Sequence, residues 1–393
     1  VVLITCIVFI LCVYWFIGLL VVFKIFFEPV QKFNERVIKL DNHVSFNEVL
    51  INWPNGAGIQ EIAEPLIEKD ICIFRMDSYS LSTSLVFENI DLLVKIFETA
   101  NVLEVYLHNP PKKFFHLIRQ RISSESIFVE QSSFEKINEK QLQDVTQDLN
   151  EHIIGQGKAK QSLLRKLVAQ LIRPSSKPLV LMFYGEPGIG KTETAKQLST
   201  TLYGNNNIIR EQMSMVGGES SVKYFKSTNH SEDSFSKTLL NRESNVILLD
   251  EFALAPAFFH STFFQMFDEG IYEDQNYKVD LSNSIIICTS NFKSRLEMEK
   301  NIDIALLSRF DGFVKFSPLS IDEKNQILRL TYSKIISSES IAERYQEYLD
   351  EDKILVCVES KLNTLPNVRA IRKYVEDVVA DELLEAIING KSN

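Results

Sequence analysis

Residues 1–23 carry no charged side chain; Lys24 is the first, and Ile25, Phe26 and Phe27 continue the apolar run. A helix of about 20 residues spans the roughly 30 Å hydrocarbon core of a bilayer, so the pattern predicts a transmembrane helix over residues 1–27. A cleaved signal peptide has a shorter apolar core and a small-residue cleavage site, whereas bulky Phe26, Phe27 and then Glu28 stand here. A buried soluble helix keeps a polar face, which this stretch lacks. Lys24, Lys32, Arg36 and Lys39 flank its C-terminal end, and positive flanks face the cytoplasm. The expectation is a single-pass membrane protein with its downstream domains in the cytoplasm. The sequence opens on Val1 rather than Met, which leaves room for upstream residues, a further span included.

Over residues 28–147 short strand-like runs (49–53, 71–75, 102–107, 127–130) alternate with helical periodicities (91–99, 113–121). Asn55-Gly56 and Pro110-Pro111 mark turns. This reads as a small N-terminal α/β domain without paired carboxylates or a metal cluster. From residue 148 to 318 the apolar runs 178–184, 245–249 and 284–289 are nearly continuous, with helical segments between them. Strands buried on both faces of a parallel sheet have this look, and the alternation predicts a doubly wound α/β layer. After Pro318 only helical patterns remain. Ser320 and Glu323 form a capping box, and residues 368–388 place Val368, Ile371, Val375, Val378, Leu383 and Ile387 on one face before Gly390. Residues 319–393 are therefore expected to form a helical lid subdomain. No internal repeat is seen in the sequence.

Composition narrows the function classes. The net charge is -10, and non-specific nucleic-acid affinity depends on Lys and Arg neutralising phosphates, so a nucleic-acid partner is not expected. The five cysteines, Cys6, Cys12, Cys72, Cys288 and Cys357, include no C-x-x-C pair, which argues against a disulfide framework or zinc site.

The chemistry is concentrated in Gly185-Glu186-Pro187-Gly188-Ile189-Gly190-Lys191-Thr192, with Glu193 next in the chain. The spacing fits G-x-x-x-x-G-K-[ST], between an apolar strand and a helix running to Gly204, the context that motif requires. Glycines let backbone N–H groups wrap phosphates, and the helix N-terminus favours negative charge. Lys191 then reaches the β- and γ-phosphates of ATP, and the Thr192 hydroxyl serves Mg²⁺. A second apolar run ends in Asp250-Glu251. The carboxyl end of a parallel strand is where open α/β sheets bind ligands, so Asp250 is expected to hold Mg²⁺ and Glu251 to polarise the attacking water.

These residues resemble the AAA+ superfamily, and more narrowly the Clp-type unfoldases, torsin-related proteins included, over residues 153–388. The resemblance implies that Asn291 is the first sensor, contacting the γ-phosphate. It implies that Arg309, in Leu307-Ser308-Arg309-Phe310-Asp311, is an arginine finger acting from a neighbouring subunit of a ring of six. Arg369 matches the second sensor, and Ile153-Ile154-Gly155-Gln156 matches the hinge that packs on adenine, with Ile154 against the base. An aromatic loop that grips polypeptide in the pore of such rings corresponds to Tyr224 and Phe225, without the flanking glycines. The segment between Asn291 and Arg309 has no protease-docking tripeptide loop, which weighs against a Clp-type peptidase partner. No H-E-x-x-H occurs, so the chain carries no metalloprotease site of that kind. The resulting expectation is a membrane-anchored ATP hydrolase that remodels protein substrates as a ring oligomer. The alternative is a nucleotide-controlled assembly switch without threading.

Overall fold

The end of the apolar head of the chain is a β-strand. In the computed structural model, which describes residues 21–51, 53, 57–81, 88–173, 175–204, 207–227, 229–337 and 348–388, β1 (Val22–Phe27) is an inner strand of a parallel sheet. A transmembrane helix through residue 27 is therefore ruled out; residues 1–20 of that expected span lie outside the described residues. Among the described residues no helix is long and apolar enough to cross a membrane. β1 was hidden because both of its faces are covered: Phe23 and Ile25 face one core and Phe26 the other. A strand buried on both sides is as uniformly apolar as a membrane helix. Its one charge, Lys24, is neutralised by Glu104 at 2.7 Å.

Eleven further strands are described: β2 (His43–Ser45), β3 (Ile71–Phe74), β4 (Glu104–His108), β5 (Ile127–Gln131), β6 (Leu179–Tyr184), β7 (Ile209–Gln212), β8 (Val246–Asp250), β9 (Ile271–Glu273), β10 (Lys278–Asp280), β11 (Ile285–Ser290) and β12 (Gly312–Lys315). The chain divides into two units, each assembled from three stretches. Unit 1 comprises the residues through Phe134 with Gly217–Glu243 and Ile271–Asp280. Unit 2 comprises Glu135–Val216, Ser244–Gly270 and the residues from Leu281 on.

Unit 1 is built on a sheet of order β2-β3-β4-β1-β5, every pair parallel. The helix Ile90–Ala100 turns Ile90, Leu93, Ile96, Phe97 and Ala100 inward, and Asn89 caps it by accepting the Leu92 N–H. That spacing of three and four is the stripe a sheet-covering helix needs. The strand expected over residues 49–53 is not formed: its first part, Val49 to Ile51, is the last turn of the helix Phe46–Ile51. Phe46 and Val49, three apart, share the buried face of that helix while Asn47 and Glu48 point elsewhere. The helices Glu219–Lys226 and Phe235–Leu240 and the hairpin β9–β10 complete the unit.

Unit 2 contains the second sheet, order β12-β6-β11-β8-β7, again all parallel. Every residue of β6, β8 and β11 is buried. The helix Glu139–His152, opened by an Asn138–Gln141 capping box, sets Val145 and Leu149 into this core. The unit thus begins near residue 135 rather than 148. The helices Ile321–Ile336, Glu351–Lys361 and Val368–Ile388 pack around Leu328, Ile354, Val358, Ile371 and Val375. The Ser320–Glu323 capping box is formed at 2.7 and 3.2 Å. The expected helix stop at Gly390 and the turn at Asn55-Gly56 lie outside the described residues.

Candidate active site

The phosphate loop leaves β6 at Tyr184 and enters the helix Lys191–Tyr203, which ends on Gly204 at φ +72°. Its backbone needs glycine. Gly185 has φ +140° and a Cβ there would lie 2.4 Å from the Phe316 carbonyl oxygen; Gly188 has φ +72° and a Cβ would meet Asn367 at 3.0 Å. A side chain at either position would fill the cradle or strain the loop. The helix Val368–Ile388 meets the same turn, its Val368 N–H donating to the Gly188 carbonyl at 3.0 Å.

Lys191 is buried. Its ammonium donates to the carbonyls of Gly185 (2.6 Å) and Glu186 (2.8 Å) and to Asn291 Oδ1 (3.1 Å). Burial pushes its pKa down to about 8, a shift opposed by Asp250 and deepened by the positive charge of Arg369. Asp250, 5% exposed, receives Thr289 Oγ1 at 2.6 Å and a fork from Arg210, Nε at 3.0 and Nη2 at 2.6 Å. Thr192 Oγ1 stands 3.4 and 3.5 Å from the two Asp250 oxygens. Glu251 has φ +54°; its N–H donates to Thr289 Oγ1 (2.8 Å) and its carboxylate accepts from Gln212 Nε2 (2.6 Å). A non-glycine residue held there costs about 1–3 kcal/mol, a strain that collects at functional sites.

A cleft of about 480 Å³ joins these parts. Lys191, Thr192, Asp250, Glu251 and Asn291 line one part; Ile153, Ile154, Leu319, Ile327 and Leu330 supply an apolar slot suited to a base. Pro187, Gly188, Ile189, Gly190 and Glu193 also border the cleft, as do Arg369 and its neighbour Arg372 from the helix Val368–Ile388. Gln156, at φ +55°, fixes the hinge by donating to the carbonyls of Ile189 (3.2 Å) and Ser317 (2.7 Å).

The cradle of amides, the buried lysine and the paired Thr192 hydroxyl and Asp250 carboxylate fit a nucleoside triphosphate with Mg²⁺. That metal typically takes one or two protein oxygens and completes its shell with phosphate and water. When bound it would neutralise charge on the phosphates. Glu251 stands beside the same strand end and lines the cleft.

Arg309, Tyr224 and Phe225 are not among the residues that line the cleft. Arg309 Nε donates to Asp268 at 2.8 Å, Nη1 to the Ala305 carbonyl at 2.5 Å, and the guanidinium lies 3.9 Å over the Phe264 ring. Phe225, expected to line a pore, is 2% exposed. It packs on Phe235 (5.3 Å between ring centres) and Tyr224 (5.1 Å), the latter half-buried, all within unit 1. A ring so enclosed does not touch a passing chain in this arrangement. Arg210, Gln212 and Thr289 were missed by sequence reasoning: the first two lie on β7, a polar edge strand without an apolar pattern.

Residues 176–348 match the AAA domain (Cdc48 subfamily). Over 308 residues the chain is 27% identical to the ATP-dependent Clp protease ATP-binding subunit ClpE of Streptococcus pneumoniae, covering 70% of this chain and 40% of that protein. It is 26% identical over 274 residues to the ATP-binding subunit ClpL of Staphylococcus aureus, covering 62% of this chain and 38% of ClpL. The chain thus spans well under two thirds of either relative. The closed-state cryo-EM reconstruction of Hsp104 with ATPγS and FITC casein shares the fold, at TM-score 0.52 and 17% identity over 86% of this chain and 66% of that one. The AAA domain match and the likeness to Clp ATP-binding subunits support an ATPase, and the fold is shared with Hsp104.

Proposed function

We propose that the chain is an ATP-driven protein remodeller that works as a ring of six, with Arg309 completing the cleft of the adjacent subunit. The observation that carries this reading is the placement of Arg309. It is ordered by Asp268 and Phe264 outside its own cleft, while Lys191, Thr192, Asp250, Glu251, Asn291 and Arg369 lie inside. A guanidinium delivered to the γ-phosphate stabilises charge developing on its oxygens. In this reading Lys191 and the loop amides hold the phosphates, Thr192 and Asp250 hold Mg²⁺, and Glu251 with Asn291 orients water. Arg369 reports on the nucleotide through the lid.

Attachment to the cytoplasmic face of a membrane is part of the same proposal and rests on sequence alone. The part of the charge-free run that precedes β1 comprises residues 1–21, and about 20 residues suffice for a span.

A second reading, a nucleotide-controlled assembly switch without threading, draws support from the burial of Phe225. The segment that would grip a substrate is packed within unit 1. A folded fluorescent reporter bearing an unstructured tail separates the two. ATP-dependent loss of its fluorescence with the wild-type chain, absent with Glu251→Gln, is the remodeller's result. ATP hydrolysis without any loss of fluorescence would leave the switch.

A further inference from the structure

The two units share a strand order. Counted along the chain, the five strands of each parallel sheet lie as second, third, fourth, first, fifth in unit 1 and, read from the opposite edge, in the same order in unit 2, and helices connect successive strands in both. In unit 2 the first and fourth strands, β6 and β11, bring the phosphate loop and Asn291 together at their carboxyl ends. The matching place in unit 1 is the carboxyl end of β1 and β4, also the point where ligands enter open sheets of this kind.

That place is filled. β1 passes into the helix Val30–Val37 through Glu28 and Pro29 alone, where unit 2 has Gly185 to Gly190. No glycine occurs in residues 21–51, and Pro29 has no N–H to offer. Asn109, just after β4, clasps the Glu28 backbone from both sides: Oδ1 accepts its N–H at 3.2 Å and Nδ2 donates to its carbonyl at 2.9 Å. His108 Nε2 lies 2.8 Å from that carbonyl, and the ring stacks on Phe33 with centres 4.4 Å apart. The Glu28 carboxylate takes the Arg36 fork at 3.1 and 3.2 Å, and Arg36 reaches on to Glu130 at 2.6 Å. Glu28, His108 and Asn109 are 3%, 1% and 0% exposed. Burial holds His108 down at about 4, so it is neutral near pH 7 and adds no charge for a phosphate. After β3, where unit 2 places an acid on the equivalent strand β8, stands Arg75, which donates to Asn34.

We propose that unit 1 is a second copy of the ATPase-type core whose nucleotide position is sealed by its own side chains, so that the chain holds one nucleotide, at Lys191. The count of one rests on the ATPase reading of unit 2; the sealing of unit 1 does not.

Calorimetric titration of the full chain with ATPγS tests both parts. One site per wild-type chain and none in Lys191→Ala is the expected result. Glu28→Gln, which weakens the Arg36 pair, should lower the Tm and leave the count at one. Two sites in the wild type, or a site retained in Lys191→Ala, would overturn the proposal. No binding by the wild type would refute the unit 2 site while leaving unit 1 as described. Photolabelling of the wild-type chain with an azido-ATP, with peptide mapping of the product, reads the same question without a variant. Label confined to unit 2 supports sealing, and label within residues 22–131 refutes it.

Discussion

Lys191 is the cation around which the cleft is organised, and its environment makes a prediction about protons. Burial brings its pKa down to about 8, so near pH 8.5 a sizeable fraction of the side chain is neutral. Phosphates placed against it favour the ammonium and raise that pKa. Nucleotide binding between about pH 8 and 9 should therefore take up protons, and the uptake should fade as pH falls toward 6.5, where Lys191 is already charged. Calorimetry in two buffers of different ionisation enthalpy measures it; an uptake unchanged in Lys191→Arg would assign it elsewhere. That Lys191, Thr192, Asp250 and Glu251 line one cleft was legible from the glycine-rich loop and from the apolar run that ends in two acids. Arg210 was not: it meets Asp250 across 40 positions, through the pairing of β7 with β8. No local pattern announces such a partner.

At the scale of elements, Phe225 discriminates between a packing role and a gripping role. Its ring is enclosed by Phe235 and Tyr224, and its carbonyl accepts from the Tyr272 hydroxyl. Truncating a buried phenylalanine leaves a cavity and costs about 3–5 kcal/mol. Phe225→Ala should accordingly lower the Tm by several degrees, observable by fluorescence or calorimetric melting. An unchanged Tm would mean that the ring is free in solution and available to a substrate. The elements themselves were unevenly legible. β6, β8 and β11 stood out because a doubly covered strand has to be apolar throughout. The same property concealed β1, whose run merges with the uncharged residues before it. Short β7, β9, β10 and β12 carry mixed polarity, and their identity as strands comes from their neighbours rather than from their own residues.

For the whole molecule the central prediction concerns sharing of a site. If Arg309 serves the adjacent subunit, neither Arg309→Ala nor Lys191→Ala hydrolyses ATP alone, but a mixture does. Lys191→Ala subunits contribute an intact finger to the loaded cleft of an Arg309→Ala neighbour. Steady-state ATPase of the mixture should recover a measurable part of the wild-type rate, peaking near equal proportions. No recovery, with mixed assembly verified, would place the finger in its own chain.

The strand order of unit 2 also governs when the enzyme comes into being. β11 lies between β6 and β8, yet it is made after both and after the last stretch of unit 1, which ends at Asp280. As the chain leaves the ribosome, unit 1 therefore has all its parts while the strand carrying the phosphate loop and the strand ending in Asp250 still have no common neighbour. Insertion of β11 joins them and brings Asn291 to Lys191 in the same event. The nascent chain is thus unable to assemble a catalytic cleft until unit 1 has been fully synthesised.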